Sequence, residues 1–248
     1  MIFGTVEGWG EDQNFFEGIA ISHARKKLNT EKFIVNALDA GFTQFDTSPL
    51  YHNEKEVGDV LKKYNVRVIS KLPESSYGYE NVIREFEKSS KNLNITDYLI
   101  HWPSFPLSDL DSTWKGFEYL KKKFNIRIGV CNFDIVHLKK LLDVAEIKPE
   151  INQFECNIFL QNNELIQFCK FNNIEIQSYG SIFRGRSSFP IEDMIGWLLN
   201  QNINPIVSSR HYDRLIRLKE CKKHNKNMTD LDTKTRLLMN PNLYCNWT

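Results

Sequence analysis

Short runs of β-branched and aromatic residues alternate with longer amphipathic stretches along almost the whole chain. The runs fall at 2–5, 42–46, 66–71, 97–101, 126–130, 151–155, 174–179 and 204–208, and their length and residue types predict strands. Between them, periodic segments at 30–41, 53–64, 79–93, 110–124, 134–144, 162–172, 190–202 and 211–223 predict helices. In 53–64, Val57, Val60 and Leu61 recur at i, i+3 and i+4, while lysines and acids take the other face. Thr30 suits the N-cap of the first such helix and Gly41 its stop.

Eight strands, each followed by a helix, is the repeat that closes a (β/α)8 barrel, and 248 residues is a typical length for it. The competing α/β architecture is a doubly wound open sheet. That sheet would usually carry a Gly-rich dinucleotide fingerprint after its first strand, and residues 2–12 hold no G-x-G-x-x-G. The pattern predicts an α/β fold, the (β/α)8 TIM barrel, as a single domain over 1–248. No Pro/Gly/Ser linker divides the chain. Residues 226–248 lie outside the eight units; within them LDTKTRLLMN (231–240) predicts a short helix packed on the barrel, which Pro241 should end.

Composition narrows the class of function. Lys+Arg of 32 against Asp+Glu of 31 leaves a net charge of +1, so no global electrostatic footprint points to nucleic acid or an anionic membrane. No stretch approaches the roughly 20 apolar residues of a membrane span, and the first residues lack a secretory signal pattern. Five scattered cysteines (Cys131, Cys156, Cys169, Cys221 and Cys245) contain no C-x-x-C pair, and the six histidines show no ligand spacing. The expectation is a soluble, cytoplasmic protein with reduced thiols and no bound metal.

In such a barrel, chemistry gathers where strands end and the following loops begin. Reading polar residues there gives Asp46, Lys71 and His101 on the second, third and fourth strands, with Tyr51 five residues after Asp46. Taken singly, each has a structural reading: a loop cap, a solvated lysine, a packing tyrosine, a hydrogen-bonded histidine. Together they are chemically complementary. Asp46 keeps Lys71 protonated, and the ammonium is expected to lower the Tyr51 pKa so that its hydroxyl exchanges a proton with a carbonyl or alcohol oxygen. His101 can donate a hydrogen bond to the same oxygen.

At these residues the sequence resembles the aldo-keto reductase family. The segment GFTQFDTSPLYHNEKEVGDVL is similar to the family signature holding Asp, Tyr and an Asn-Glu pair; ISKLP and DYLIHWP resemble its lysine and histidine strands. IRIGVCNF, INQFECNIF and IEIQSYGSI follow in the family's order, and the match runs from about residue 2 to 220. The resemblance implies a barrel that uses NADPH or NADH to interconvert small carbonyls and alcohols. It implies Tyr51 as proton donor, Lys71 and Asp46 tuning it, and His101 orienting the carbonyl. Asn132 and Gln153 would hold the nicotinamide carboxamide, with Asp46 and Cys131 as further cofactor contacts and Tyr179 stacking on the ring. Ser209 and Arg214 match cofactor-binding positions of the family after the eighth strand.

Three departures bear on that expectation. Cys131 stands where the family has serine; Ser208 stands where many members have a phosphate-binding lysine; Arg217 and Leu218 replace a Glu-Asn pair. Arg210, Arg184 or Arg186 could supply the missing phosphate contact, which leaves NADPH the expected cofactor and NADH the alternative. Trp9, Phe15, Phe16 and Trp102 are the aromatics placed to line a substrate pocket, and the stretch before Thr30 could cover it. The leading expectation is therefore an NAD(P)H-dependent oxidoreductase. The alternative is a cofactor-binding regulatory or interaction protein on the same barrel, with a phosphate-handling barrel enzyme as a third reading.

Overall fold

The computed structural model describes residues 1–6, 30–103 and 109–236. Eight parallel strands close on themselves in chain order: β1 (Ile2–Gly4), β2 (Gln44–Asp46), β3 (Arg67–Leu72), β4 (Asp97–Ile100), β5 (Arg127–Cys131), β6 (Ile151–Glu155), β7 (Glu175–Tyr179) and β8 (Asn204–Val207). The seam pairs Ile2 with Ile206 and Phe3 with Val207. The α-helices wrap the outside: α1 (Thr30–Asp39), α2 (Glu54–Leu61), α3 (Tyr79–Ser90), α4 (Leu110–Phe124), α5 (Ile135–Val144), α6 (Asn163–Phe171), α7 (Ile191–Asn200) and α8 (Tyr212–Glu220). This is the expected barrel, and the strand ends shift by one or two residues from the sequence reading, as hydrogen-bonded pairing trims or extends each run.

Each helix turns its apolar stripe inward. Val57, Val60 and Leu61 of α2 are buried as their spacing requires, and Gly41 (φ +83°) ends the turn after α1 in a left-handed conformation. The larger hydrophobic cluster, including Phe3, Phe45, Tyr98, Trp114 and Phe117, fills the space between strands and helices.

Strand periodicity of two sorts the inward-facing side chains into layers. The floor is ionic: Arg67 pairs with Asp97 at 2.5 Å, and Arg127 reaches Glu175 at 2.7 Å and Asp97 at 3.4 Å. Above it sits a small apolar cluster of Ile2, Ile69, Leu99 and Ile151. Gly129 belongs to this layer because nothing larger fits: a Cβ there would lie 2.5 Å from the Ile151 carbonyl oxygen and 2.9 Å from Leu99. The uppermost layer is polar, and it carries Asp46, Lys71, Cys131, Gln153 and Tyr179.

Two expectations on the C-terminal side change. The predicted helix at 231–240 is absent from its described part: a single 3-10 turn covers Thr229–Leu231, and 232–236 run without helix. Tertiary hydrogen bonds win there, since the Gln161 side chain donates to Met228 O at 2.6 Å and Thr235 N–H to Phe159 O at 3.2 Å. Residues 237–240, Pro241 and Cys245 lie outside the described residues, as do Trp9, Phe15, Phe16 and the stretch up to residue 29. Among the described residues, no helix is long and apolar enough to cross a membrane.

Candidate active site

Asp46 ends β2 and Lys71 lies one strand over on β3, both facing inward. The lysine side chain is fully buried. Its Nζ donates to Asp46 Oδ1 at 2.7 Å and Oδ2 at 2.8 Å, to Thr47 O at 3.1 Å and to the Tyr51 hydroxyl at 3.3 Å. Tyr51 closes the 3-10 turn Pro49–Tyr51, whose N-cap Ser48 accepts the Leu50 N–H at 3.2 Å. That short turn, started by proline, carries the phenol back over the barrel mouth.

The electrostatics correct one expectation. Burial pushes the Tyr51 hydroxyl up; Lys71 opposes this but does not reverse it, so the group sits above its ordinary value rather than below. Desolvation also acts against the Lys71 ammonium, yet the charge of Asp46 overrides it and the lysine pKa is raised. Both groups therefore hold their protons at neutral pH.

His101 follows β4 directly, its N–H donating to Leu72 O at 3.1 Å. Its ring stands edge-on to Tyr51 with centroids 6.0 Å apart, and its Nδ1 lies 3.2 Å from Ser48 Oγ. Burial, with the Lys71 charge adding to it, holds the imidazole well below its ordinary pKa and so neutral. Trp102 stacks alongside, fixed by the Tyr77 hydroxyl donating to Trp102 O at 2.5 Å.

Strands β5, β6 and β7 supply a wall of amides and one aromatic ring. Asn132 holds a left-handed backbone (φ +65°), donates Nδ2 to His101 O at 2.9 Å and accepts the Tyr179 hydroxyl at 2.6 Å. Gln153 donates Nε2 to Asp46 Oδ2 at 2.8 Å and to Gln177 Oε1 at 3.1 Å, while its Oε1 accepts only a weak contact from the Cys131 thiol at 3.5 Å. Burial pushes the Cys131 thiol up, so it stays protonated.

Asp46, Tyr51, His101, Trp102, Cys131, Asn132, Gln153 and Tyr179 line one cavity of about 280 Å³, with Lys71 behind its wall. The rest of its wall includes Gly4 at the end of β1 and Val6 beyond it, Ser181, Arg184 and Gly185 after β7, Val207 and Ser208 at the end of β8, and Arg214 of α8. Ser209 is buried and accepts the His211 N–H at 3.1 Å, and Arg210 is exposed; both lie outside the cavity wall. Arg217 forms a surface pair with Glu192 at 2.6 Å and Leu218 is fully buried, and neither lines the cavity. Reading the sequence missed Ser48, Asn53 and Tyr77. Nothing local in the sequence marks Ser48, which meets His101, or Asn53, which donates to Thr5 O at 2.8 Å; the purpose of each shows only in three dimensions.

A sequence model of the Aldo/keto reductase family matches residues 22–229. Glyoxal reductase of Bacillus subtilis (strain 168) is 36% identical over 178 residues, which cover 68% of this chain and 64% of that protein. The 9,11-endoperoxide prostaglandin H2 reductase of Trypanosoma cruzi is 30% identical over 224 residues, covering 80% of this chain and 78% of its own. Among solved structures, a Gox0644 variant in complex with NADPH superimposes with a TM-score of 0.77 at 26% identity, covering 82% of this chain and 84% of that one. The closed parallel barrel, the matched span and these similarities lead to one assignment: the chain belongs to the aldo/keto reductase family.

Proposed function

We propose that this protein is an NADPH-dependent carbonyl reductase acting on small aldehydes or ketones, with Tyr51 as the proton donor. The observation that carries the reading is the Tyr51 hydroxyl 3.3 Å from the buried Lys71 ammonium, at the wall of the cavity that His101 also lines. The donor set suits a nicotinamide carboxamide: Gln153 Oε1 and Asn132 Oδ1 each retain acceptor capacity toward the cavity. Cys131 would complete that contact, with Asp46 beside it, and Tyr179 would lie against the ring. Arg214 on the cavity wall, with Ser209 and Arg210 adjacent in the chain, would meet the phosphate end. A bound NADPH, or NADH in its place, would supply the hydride that reduces the carbonyl carbon.

The chain's own residues handle the proton. A raised pKa keeps Tyr51 protonated at rest, ready to give its proton to the carbonyl oxygen as negative charge develops there. The phenolate left behind gains the Lys71 hydrogen bond and charge at 3.3 Å, which strengthen as the proton departs. Ser48 Oγ, already accepting Leu50 N–H, can donate to His101 Nδ1 and leave the imidazole proton on Nε2. That N–H then points a second donor at the same oxygen. Trp102 and Val6 give the cavity an apolar flank that excludes water.

The test is Tyr51→Phe. NADPH binding, followed by nicotinamide fluorescence, should persist, while reduction across a panel of small aldehydes and ketones should fall by about 10²-fold or more. A wild-type protein that binds cofactor but turns over none of the panel would instead favour a binding role.

A further inference from the structure

On β7, period-two alternation puts Glu175, Gln177 and Tyr179 on the inner side of the barrel. Glu175 belongs to the ionic floor and Tyr179 to the mouth, and Gln177 stands between them with no exposed surface. A fully buried amide persists only with its hydrogen bonds made. Gln177 makes them in both directions. Its Nε2 donates to Glu175 Oε1 at 3.1 Å, and its Oε1 accepts from Gln153 Nε2 at 3.1 Å.

Each end of this pair is tied to a charge. Arg127 donates to the other Glu175 oxygen at 2.7 Å. Burial pushes the Glu175 carboxyl up, but the Gln177 hydrogen bond and the Arg127 charge hold it below its ordinary value. It is therefore ionised at neutral pH and only accepts, which sets the Gln177 nitrogen toward the floor and its oxygen toward Gln153. At the upper end, Gln153 Nε2 donates to Asp46 Oδ2 at 2.8 Å, the oxygen that also takes a Lys71 hydrogen bond at 2.8 Å. Side-chain hydrogen bonds thus run unbroken from Arg127 at the floor to Lys71 at the mouth.

The run decides what Gln153 shows to the cavity. An amide nitrogen carries two protons. Gln153 gives one to Asp46 and the other to Gln177, so it has no donor left and presents its oxygen. The Cys131 thiol, 3.5 Å from that oxygen, is a weak donor and leaves it open to a stronger one. Two anchors on the nitrogen also fix the plane of the amide, whereas one would let it swing. Without the Gln177 acceptor, the second N–H would be stranded in a buried site. The amide would then turn that N–H toward the cavity, and the wall would change there from acceptor to donor.

We propose that Gln177 is a positioning residue that holds Gln153 as an acceptor and so selects a cofactor ring bearing an N–H donor. This rests on the cofactor reading above and deepens it. The acceptor reads the NH2 of the nicotinamide carboxamide, and its orientation is set from the floor of the barrel through Glu175 and Gln177.

Equilibrium binding of NADP+ and of its 3-acetylpyridine analogue to wild type, Gln177→Met and Gln177→Glu decides it. The analogue keeps the ring carbonyl but has a methyl in place of the NH2. Wild type should prefer NADP+ by about tenfold, the worth of one hydrogen bond. Gln177→Met keeps the volume and loses the acceptor. It should bind NADP+ about tenfold more weakly and the analogue as wild type does, so the preference disappears. Damaged packing would instead weaken both ligands equally. In Gln177→Glu, two adjacent carboxyls share one proton; the protonated acid still donates to Glu175 and accepts from Gln153, so the preference should survive. Preference retained in Gln177→Met, equal weakening of both ligands, preference lost in Gln177→Glu, or parity already in wild type each overturns the proposal and leaves the cofactor reading standing. A wild-type protein that binds neither ligand overturns that reading, and this proposal with it.

Discussion

The Lys71 ammonium sits between both carboxylate oxygens of Asp46, 2.7 and 2.8 Å away, with the lysine side chain wholly removed from solvent. A buried ion pair of this kind is a poor source of stability, because desolvation consumes most of the attraction, but breaking it is expensive. Lys71→Met should therefore cost about 3–5 kcal/mol by leaving Asp46 charged and unpaired. The double variant Lys71→Met/Asp46→Asn should regain most of that stability while remaining inactive. Denaturant unfolding of wild type and the two variants measures this, and a Lys71→Met protein as stable as wild type would refute it.

Ser48 touches His101 and no other group of the proposed chemistry, at 3.2 Å from Nδ1. It is a positioning residue in this reading. Ser48→Ala should lower kcat by roughly tenfold, the loss of about one hydrogen bond, with cofactor affinity unchanged. The distinguishing signature is the ring nitrogen NMR of His101, where the Nε2–H tautomer should lose its dominance. A mixed tautomer already present in wild type would argue against the role.

Stability should fall on both sides of a plateau. Tyr51 and Lys71 have raised folded-state pKa values, so the stability they confer is complete below their unfolded values of 10.0 and 10.5 and is lost as pH rises beyond them. His101 is lowered from 6.5, and His137, buried inside the α5 capping box, is lowered from 6.5 to about 4. Their contribution is present above 6.5 and is lost as pH falls through that window. The buried thiols of Cys131, Cys156 and Cys169 are also raised, from 9.0, and bring the alkaline decline forward, so melting temperatures should decline above 9.0 and below 6.5. His137→Gln keeps an acceptor at the third helical position and should flatten part of the acid slope. An identical acid slope in that variant would remove His137 from the account.

Gly129→Ala tests how tightly the barrel interior is filled. The added methyl meets a backbone oxygen at 2.5 Å, and a backbone atom cannot swing aside as a side chain would. A loss of about 2–3 kcal/mol is expected, with the variant still folded. Calorimetry showing no change in melting temperature would mean that β5 and β6 can spread apart at that level.

Much of the molecule was legible before any coordinates. Period-two runs and period-3.6 stretches mark strands and helices through local side-chain geometry, so the eight-fold alternation and the barrel could be read directly. Asp46, Tyr51, Lys71 and His101 could be named because the fold places strand ends at one face. Ser48 could not, since nothing local distinguishes a hydroxyl that meets a histidine 53 positions later. The 231–240 segment was misread for the same reason: its helical composition is overruled by hydrogen bonds to Gln161 and Phe159, which lie about 70 residues away in sequence.

Periodicity, residue type and order along the chain thus determined the architecture and the chemical cast. Only tertiary structure decided the state of that cast. Whether Tyr51 is raised or lowered depends on the balance between desolvation and a lysine 3.3 Å away, and both terms exist only once β2, β3 and the turn after β2 close around the same space. The same holds for Arg184. Its charge is written in the sequence, but its place in the cavity wall follows from the turn after β7, where Phe183, Arg184 and Gly185 hold left-handed backbone.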